Sequence, residues 1–152
     1  MELQVAIYDL MIFDIAPPPV VTSRPDELWY FLPFGYLLTV AVETPVLFFG
    51  LSKRLTRWQR LFAGLWLTAC TYPVVVLVLP ALFATSSRGL YLLAAETFAP
   101  AAECVIFWLA IGRRLDVSAR AKLLNFATIV AANILSFAAG EVLGATRWFG
   151  LF

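Results

Sequence analysis

The chain has 152 residues, of which 62% are hydrophobic and 14% are charged, and its formal net charge is +1. Soluble domains average about 45–50% apolar and about 25% charged residues. The apolar excess and the mean hydropathy of +0.86 therefore indicate a polytopic membrane protein in one compact unit. The near-neutral charge and the lack of a basic run with interleaved aromatic residues argue against nucleic acid as a partner.

The residue inventory excludes several kinds of catalytic and metal site. The sequence contains no histidine, and its two cysteines, Cys70 and Cys104, stand alone. Zinc sites of the HExxH type, bis-histidine haem, Cys-His nucleophilic pairs and CxxC redox centres therefore lack their ligands. No nucleophile elbow or phosphate loop is present, so we expect neither an enzyme nor a cofactor. Both cysteines are expected to be apolar filler, unless their helices meet and a disulfide joins them.

Residues 1–27 are predicted to be a separate extracytoplasmic segment. Its first 16 residues are apolar but too short for a span, and they carry Glu2, Asp9 and Asp14 where a signal peptide is basic. The three prolines at 17–19 favour an extended connector. We expect this segment to dock on a partner protein, with docking on its own bundle or along the outer leaflet as the alternatives.

Residues 28–152 are predicted to form an all-α transmembrane domain. About 20 apolar residues suffice for a helix to cross a hydrocarbon core of about 30 Å. Within the membrane all backbone polar groups must be satisfied internally, which requires helix. The connections are short, so neighbouring helices are expected to be antiparallel in an up-down bundle. The four predicted spans are about 28–52, 61–84, 90–112 and 123–146.

The distribution of Lys and Arg predicts the orientation of these spans. Two connecting loops, 53–60 and 113–122, hold eight of the basic residues, whereas the opposite side holds three, namely Arg24, Arg88 and Arg147. Because cytoplasmic loops are enriched in Lys and Arg, both loops are predicted to be cytoplasmic and both termini extracytoplasmic. We expect a multi-pass protein of a bacterial inner membrane.

Four glutamates interrupt the apolar spans: Glu43 in the first, Glu96 and Glu103 in the third, and Glu141 in the fourth. From the helical rise, Glu103 is predicted near the midplane, Glu43 slightly nearer the cytoplasm, and the other two in a shared outer layer. A central acidic residue costs about 2.5–3.5 kcal/mol on insertion scales. The spans contain no Lys or Arg, so each carboxyl must be protonated, bind a cation or pair with an arginine from the rim.

Whether a carboxyl is expected to be protonated, to bind a cation or to pair with an arginine depends on its depth in the membrane. Arg88 and Arg147, at the outer ends of the third and fourth helices, are predicted to reach Glu96 and Glu141. Glu103 has no base within reach. We therefore expect it to be a protonated carboxyl that bonds to a neighbouring amide, hydroxyl or backbone carbonyl, either as a static network between helices or as a mobile proton or cation site.

The predicted middle layer contains polar groups that could support these carboxyls: Thr71 and Tyr72 in the second helix, and Asn133 and Ser136 in the fourth. Asn133 and Ser136 are the expected partners of Glu103.

Three prolines in the spans free backbone carbonyls one turn earlier. Pro45, Pro73 and Pro100 are predicted to leave the carbonyls of Ala41, Ala69 and Glu96 as extra acceptors. An environment of carboxylates, hydroxyls and carbonyls suits H⁺, Na⁺ or a hard divalent cation.

The fourth helix also carries a stripe of small residues, Ser136, Gly140 and Gly144. Small residues four apart let another helix approach closely, and we expect this stripe to pack within the bundle.

Two functions fit these observations. The small size, the apolar N-terminal segment and the small-residue stripe favour an accessory or structural subunit of a larger membrane complex. The alternative is a protein that translocates protons or cations through Glu43, Glu96, Glu103 and Glu141. Either function implies the lipid bilayer and a membrane-protein partner or a second copy of the chain as partners. No internal repeat is evident, although the first and third helices both pair a glutamate with a proline.

Overall fold

The computed structural model describes residues 25–114 and 118–145, and these residues form helices without strands. The predicted N-terminal segment lies almost wholly outside the described residues, as does Arg147. Four helices account for nearly all of the described chain: α1 (Pro25–Gly50), α2 (Arg57–Leu82), α3 (Arg88–Ala110) and α4 (Ala119–Ala145). Each is long and apolar enough to cross a membrane.

The four helices cover the four segments predicted from the sequence to be helical, but each begins two to four residues before the predicted start. Capping explains the difference for α2. Thr56 Oγ1 accepts a hydrogen bond from Gln59 N at 3.2 Å, and Gln59 Oε1 accepts one from Thr56 N at 2.8 Å. This reciprocal capping box starts the helix within the basic loop, where hydropathy alone gives no boundary. Ser87 caps α3 through Leu90 N in a similar way.

The second helix changes its winding near its end. Its α-helical part, Arg57–Pro73, is followed by a π-helical turn, Val74–Val78, and a final α-helical turn, Leu79–Leu82. The π turn lies between two prolines, Pro73 and Pro80, neither of which has an N–H to donate. Turns of this kind are rare, and they occur mostly inside α-helices, frequently at functional sites.

Helices α3 and α4 contact each other in opposite directions along the chain. From Arg88 to Cys104 along α3, the partners on α4 fall from Glu141 to Phe126. This order is what antiparallel packing produces. The bundle therefore has two distinguishable ends. We call the end with Arg88 and Glu141 the Arg88 end, and the end with residues 51–56 and 111–114 the basic-loop end.

The apolar core occupies the half of the bundle near the basic-loop end. All four helices and the loop after α1 contribute to it, and Leu47 and Ile129 are fully buried at its centre. The remaining buried core residues are Leu51, Leu55, Ala63, Leu67, Phe107 and Ala132. On the outside of the bundle, large apolar side chains are strongly exposed, such as Phe49 at 81%. A bundle that is apolar on both its inside and its outside is typical of helices surrounded by lipid.

The basic-loop end is closed by polar contacts between helices. Asn125 Oδ1 accepts a hydrogen bond from Ser52 N at 2.8 Å, and Arg60 Nη1 donates to Phe48 O at 3.0 Å. Both contacts satisfy backbone groups that the end of α1 leaves without helical partners.

Helices α1 and α2 approach each other most closely at Gly64. A Cβ atom at this position would lie 2.6 Å from Thr44 Oγ1 and 2.9 Å from Thr44 Cα. The predicted stripe on α4 behaves differently, because no atom lies within 4 Å of a Cβ built on Gly140 or Gly144. Within the described residues, the close packing expected at these two glycines is therefore absent.

The two cysteines are free thiols. Cys104 Sγ lies 4.0 Å from Phe126 O, between α3 and α4. The alternative of a disulfide between Cys70 and Cys104 is therefore not realised.

We predict that Gly64→Ala destabilises the folded protein, because the added methyl group meets the backbone of Thr44 and forces α1 and α2 apart. The expected loss is about 1–3 kcal/mol, measured by unfolding in mixed detergent micelles. Gly140→Ala is the matched control, since its methyl group enters open space and alanine favours helix by up to about 1 kcal/mol. Equal stability of the two variants would contradict this packing.

Candidate functional site

Glu43 is buried at the centre of the bundle with 1% of its surface exposed. Its Oε2 atom lies 2.7 Å from Thr68 Oγ1 of α2, and its Oε1 atom lies 2.7 Å from Ser136 Oγ of α4. The side chain therefore joins α1 to two other helices by hydrogen bonds.

Glu103 is equally buried and joins the same two helices from the opposite side. Its Oε1 atom lies 2.8 Å from Thr71 Oγ1 of α2, and its Oε2 atom accepts a hydrogen bond from Asn133 Nδ2 of α4 at 2.7 Å. The predicted bond to Asn133 is confirmed. The other expected partner, Ser136, bonds to Glu43 instead.

The polar side chains that meet the two glutamates come in pairs three residues apart. Thr68 and Thr71 form the pair on α2, and Asn133 and Ser136 form the pair on α4. Residues three apart share a face of a helix, so each pair presents two polar groups to the centre of the bundle. We call these six residues, Glu43, Thr68, Thr71, Glu103, Asn133 and Ser136, the carboxyl network.

The carboxyl network has an approximate two-fold arrangement. Helices α1 and α2 form one hairpin, and α3 and α4 form the other. Glu43 contacts Thr68, the first polar residue of the pair in its own hairpin, and Ser136, the second polar residue of the pair in the other hairpin. Glu103 follows the same pattern, since it contacts Asn133, the first residue of the pair in its own hairpin, and Thr71, the second of the pair in the other. Each glutamate thus ties the two hairpins together.

The sequences of the two hairpins share a spacing that matches this arrangement, which helical periodicity alone did not reveal. Glu43 precedes the basic pair Lys53-Arg54 by ten residues, and Glu103 precedes Arg113-Arg114 by the same interval. A polar pair three residues apart follows in each hairpin. Thr68 was not among the expected supporting groups, and its spacing from Thr71 is the signal that could have identified it.

Every polar group of the network on α2 and α4 also contacts a carbonyl of its own helix. Thr68 Oγ1 lies 2.8 Å from Gly64 O, Thr71 Oγ1 lies 3.1 Å from Leu67 O, and Ser136 Oγ lies 3.0 Å from Asn133 O. Asn133 Nδ2 donates to Ile129 O at 3.0 Å. Each of these groups therefore connects a carboxyl to a backbone carbonyl.

A cleft of about 310 Å³ leads from the Arg88 end to the carboxyl network. Glu43, Thr68 and Ser136 lie among its lining residues, with Arg88 and Glu141 at its exposed end. Its volume is at the lower limit of ordinary ligand pockets, about 300–1,000 Å³. It offers room for about ten water molecules at about 30 Å³ each.

An ion pair stands at the exposed end of the cleft. Arg88 Nη2 lies 2.7 Å and 2.8 Å from the two carboxylate oxygens of Glu141. The predicted pairing of an outer arginine with Glu141 is thereby confirmed. Both side chains are more than 40% exposed, so the pair contributes little to stability. Its position at the entrance of the cleft is more informative than its energy.

Glu96 lies between the ion pair and the carboxyl network along the cleft wall. It is partly buried, and within residues 25–114 and 118–145 it forms neither a hydrogen bond nor an ion pair. Arg88 therefore does not neutralise it, contrary to the pairing expected from the sequence. This carboxyl faces the open volume of the cleft.

Two tyrosines complete the walls of the cleft. Tyr91 donates to Val75 O in the π-helical turn of α2 at 3.2 Å. Tyr72 packs edge-on against Tyr36, with ring centroids 6.1 Å apart, rather than contacting Glu103. Tyr36 itself donates to Leu65 O at 3.1 Å.

The two tyrosine hydroxyls bond to the carbonyls of Val75 and Leu65, whereas the carbonyls expected to be freed by proline are those of Ala41, Ala69 and Glu96. In the described parts of the chain, no group of three or more Cys, Asp or Glu residues is placed to hold a metal ion.

Comparison of the chain with protein-family models, with curated proteins and with solved structures gives no match. The functional interpretation therefore depends on the geometry of the cleft and of the carboxyl network.

We predict that Thr71→Val destabilises the protein by about 1–3 kcal/mol, because it keeps the shape of the side chain but leaves buried Glu103 short of a partner. Thr97→Val on α3 is the matched control, since Thr97 Oγ1 is exposed and bonds only to Leu93 O of its own helix. It should change stability by less than about 0.5 kcal/mol. Both are measured by unfolding in mixed micelles, and equal losses would contradict the role given to Thr71.

Proposed function

We propose that the chain is a multi-pass protein of a bacterial inner membrane. Four helices of sufficient length and apolar character support insertion, and the antiparallel order of helix contacts supports an up-down bundle. The bias of Lys and Arg toward residues 53–60 and 113–122 supports a cytoplasmic basic-loop end. The Arg88 end and the cleft then face the outside.

Within this frame we propose that the protein exchanges protons between the outside and the buried carboxyls, as part of proton translocation. The observation that carries the proposal is the cleft: it leads past the unpaired Glu96 to Glu43 at its inner end. Ionisable residues at membrane depth that line a cavity typically belong to ion pathways or proton relays. Water in the cleft would bring a proton to Glu43 without crossing an apolar layer.

Access to the carboxyls is one-sided in this conformation. Between the network and the basic-loop end lies the apolar core around Leu47, Phe107 and Ile129. A proton on Glu43 is thus separated from the cytoplasmic side by packed side chains. Translocation requires a second conformation in which this layer opens, since alternating access moves helices around a fixed site.

A second candidate, an accessory subunit of a larger membrane complex, is favoured by a different observation. Every carboxyl oxygen of Glu43 and Glu103 already has a partner from another helix. A network in which every carboxyl oxygen has a partner fits a static clamp that holds the four helices together. In that case a partner protein or a second copy covers part of the exposed apolar surface.

Proton flux into liposomes tests the first function. We expect purified wild-type protein to acidify the lumen when a potassium diffusion potential drives protons inward, as reported by an entrapped pH-sensitive dye. Glu43→Gln and Glu96→Gln should each lower the rate at least about tenfold, because an amide can form hydrogen bonds but neither takes up nor releases a proton. Thr97→Val should leave the rate unchanged.

A folded wild-type protein that carries no protons in either direction contradicts translocation. The accessory role then makes its own prediction. Blue-native electrophoresis from mild detergent should show a larger complex, and Glu103→Leu should abolish it while Glu103→Gln preserves it.

A further inference from the structure

The two halves of the carboxyl network differ by one hydrogen atom. Thr68 and Asn133 occupy matching positions in the two hairpins, since each is the first polar residue of its pair and contacts the glutamate of its own hairpin. A threonine hydroxyl has one hydrogen to donate, whereas an asparagine amide has two. The partners of Glu43 (Thr68 and Ser136) therefore carry two hydrogens in total, whereas the partners of Glu103 (Thr71 and Asn133) carry three.

The contacts around Glu103 need no additional proton. The two partners of Glu103 make four short contacts in total. Asn133 Nδ2 contacts Glu103 Oε2 and Ile129 O, and Thr71 Oγ1 contacts Glu103 Oε1 and Leu67 O. The amide supplies two hydrogens and the hydroxyl one. These three hydrogens satisfy the three shortest contacts with Glu103 ionised, and leave only the 3.1 Å contact to Leu67 O without a hydrogen.

The contacts around Glu43, in contrast, need an additional proton. Thr68 and Ser136 together supply two hydrogens for four oxygen–oxygen contacts of 2.7, 2.7, 2.8 and 3.0 Å. With Glu43 ionised, two pairs of oxygen atoms would face each other at these distances without a hydrogen between them. Two oxygen atoms that face each other without a hydrogen between them repel, because each presents a lone pair to the other.

A proton on Glu43 Oε2 removes the shortage. The carboxyl O–H then donates to Thr68 Oγ1, the Thr68 hydroxyl donates to Gly64 O, and the Ser136 hydroxyl donates to Glu43 Oε1. Three hydrogens now serve the three shortest contacts, and only the 3.0 Å contact between Ser136 and Asn133 O lacks one. Around protonated Glu43, as around ionised Glu103, only one of the four contacts then lacks a hydrogen.

The surroundings of the two carboxyls support one negative charge between them. Glu43 interacts electrostatically with two acidic groups of α3, Glu96 and Glu103. Arg88 is engaged by Glu141 at the far end of the cleft. Two neighbouring carboxylates in a buried site rarely both ionise, so the hydrogens that their partners supply decide which of the two holds the proton.

We propose that the carboxyl network binds one proton in its resting state, and that this proton is held on Glu43 between its Oε2 atom and Thr68 Oγ1. Glu103 stays ionised and accepts a hydrogen bond from the amide of Asn133, whereas the sequence alone predicts that it is protonated. The inference rests on the proposed function for the route by which the proton arrives, and it adds which residue holds it and why.

Infrared difference spectroscopy of the protein in liposomes at neutral pH tests the assignment. A protonated carboxyl has a carbonyl-stretch band that shifts when H₂O is replaced by D₂O. We expect Glu43→Gln to lose the intensity of one carboxyl from this band, and Glu103→Gln to retain it.

Replacing Thr68 or Asn133 by the residue type found at the other position gives a second test, which leaves both glutamates in place. Thr68→Asn supplies the missing hydrogen, so the Glu43 band should disappear. Asn133→Thr removes a hydrogen from the other half, so a second protonated carboxyl should appear. These variants also decide the question if Glu43→Gln does not fold.

Loss of the band in Glu103→Gln but not in Glu43→Gln overturns the assignment, as does a wild-type spectrum without such a band. The outcome is separate from that of the flux experiment. If the Glu43 band is present but the protein carries no protons, the assignment is upheld and translocation is refuted. If the protein carries protons but the band is absent, translocation is upheld and the assignment is refuted.

Discussion

A carboxyl group buried in an apolar bundle must find its hydrogen-bond partners on other helices, because its own helix has already used the neighbouring backbone groups. Most of this structure follows from that constraint. Glu43 and Glu103 are each 1% exposed, and among the described residues no basic side chain pairs with either. Their partners are uncharged side chains of α2 and α4, so two residues bring together all four helices.

The carboxyl network also divides the bundle into two functional halves. Toward the basic-loop end the helices pack through apolar side chains around Leu47 and Ile129, whereas toward the Arg88 end they leave a cleft with Glu96 on its wall. The same polar layer thus joins the helices and lies at the inner end of the cleft, which the proposed function makes the route for protons. A single proton on Glu43 reconciles the two roles, since it completes the clamp and is accessible from the cleft.

The sequence was sufficient to predict the helices and the buried acids, but not the pairing between them. Length and hydropathy identify the spans, and the helical rise places Thr71, Asn133 and Ser136 at the depth of Glu103. Depth does not specify how each helix is rotated about its axis, so Ser136 was assigned to the wrong glutamate and Thr68, which lies at a similar depth, was left out of the supporting groups. The cleft is likewise unpredictable from the sequence, because it depends on where packing between helices stops.

Double-mutant cycles on the unfolding free energy test the central claim most directly. Glu103→Leu is combined with Asn133→Ala in one cycle and with Ser136→Ala in another, since these two residues lie one turn apart on α4. The described pairing predicts a coupling of about 0.6–2 kcal/mol with Asn133 and close to zero with Ser136, and the reverse order when Glu43→Leu replaces Glu103→Leu. Equal couplings in the two cycles, or the opposite order, would contradict the clamp.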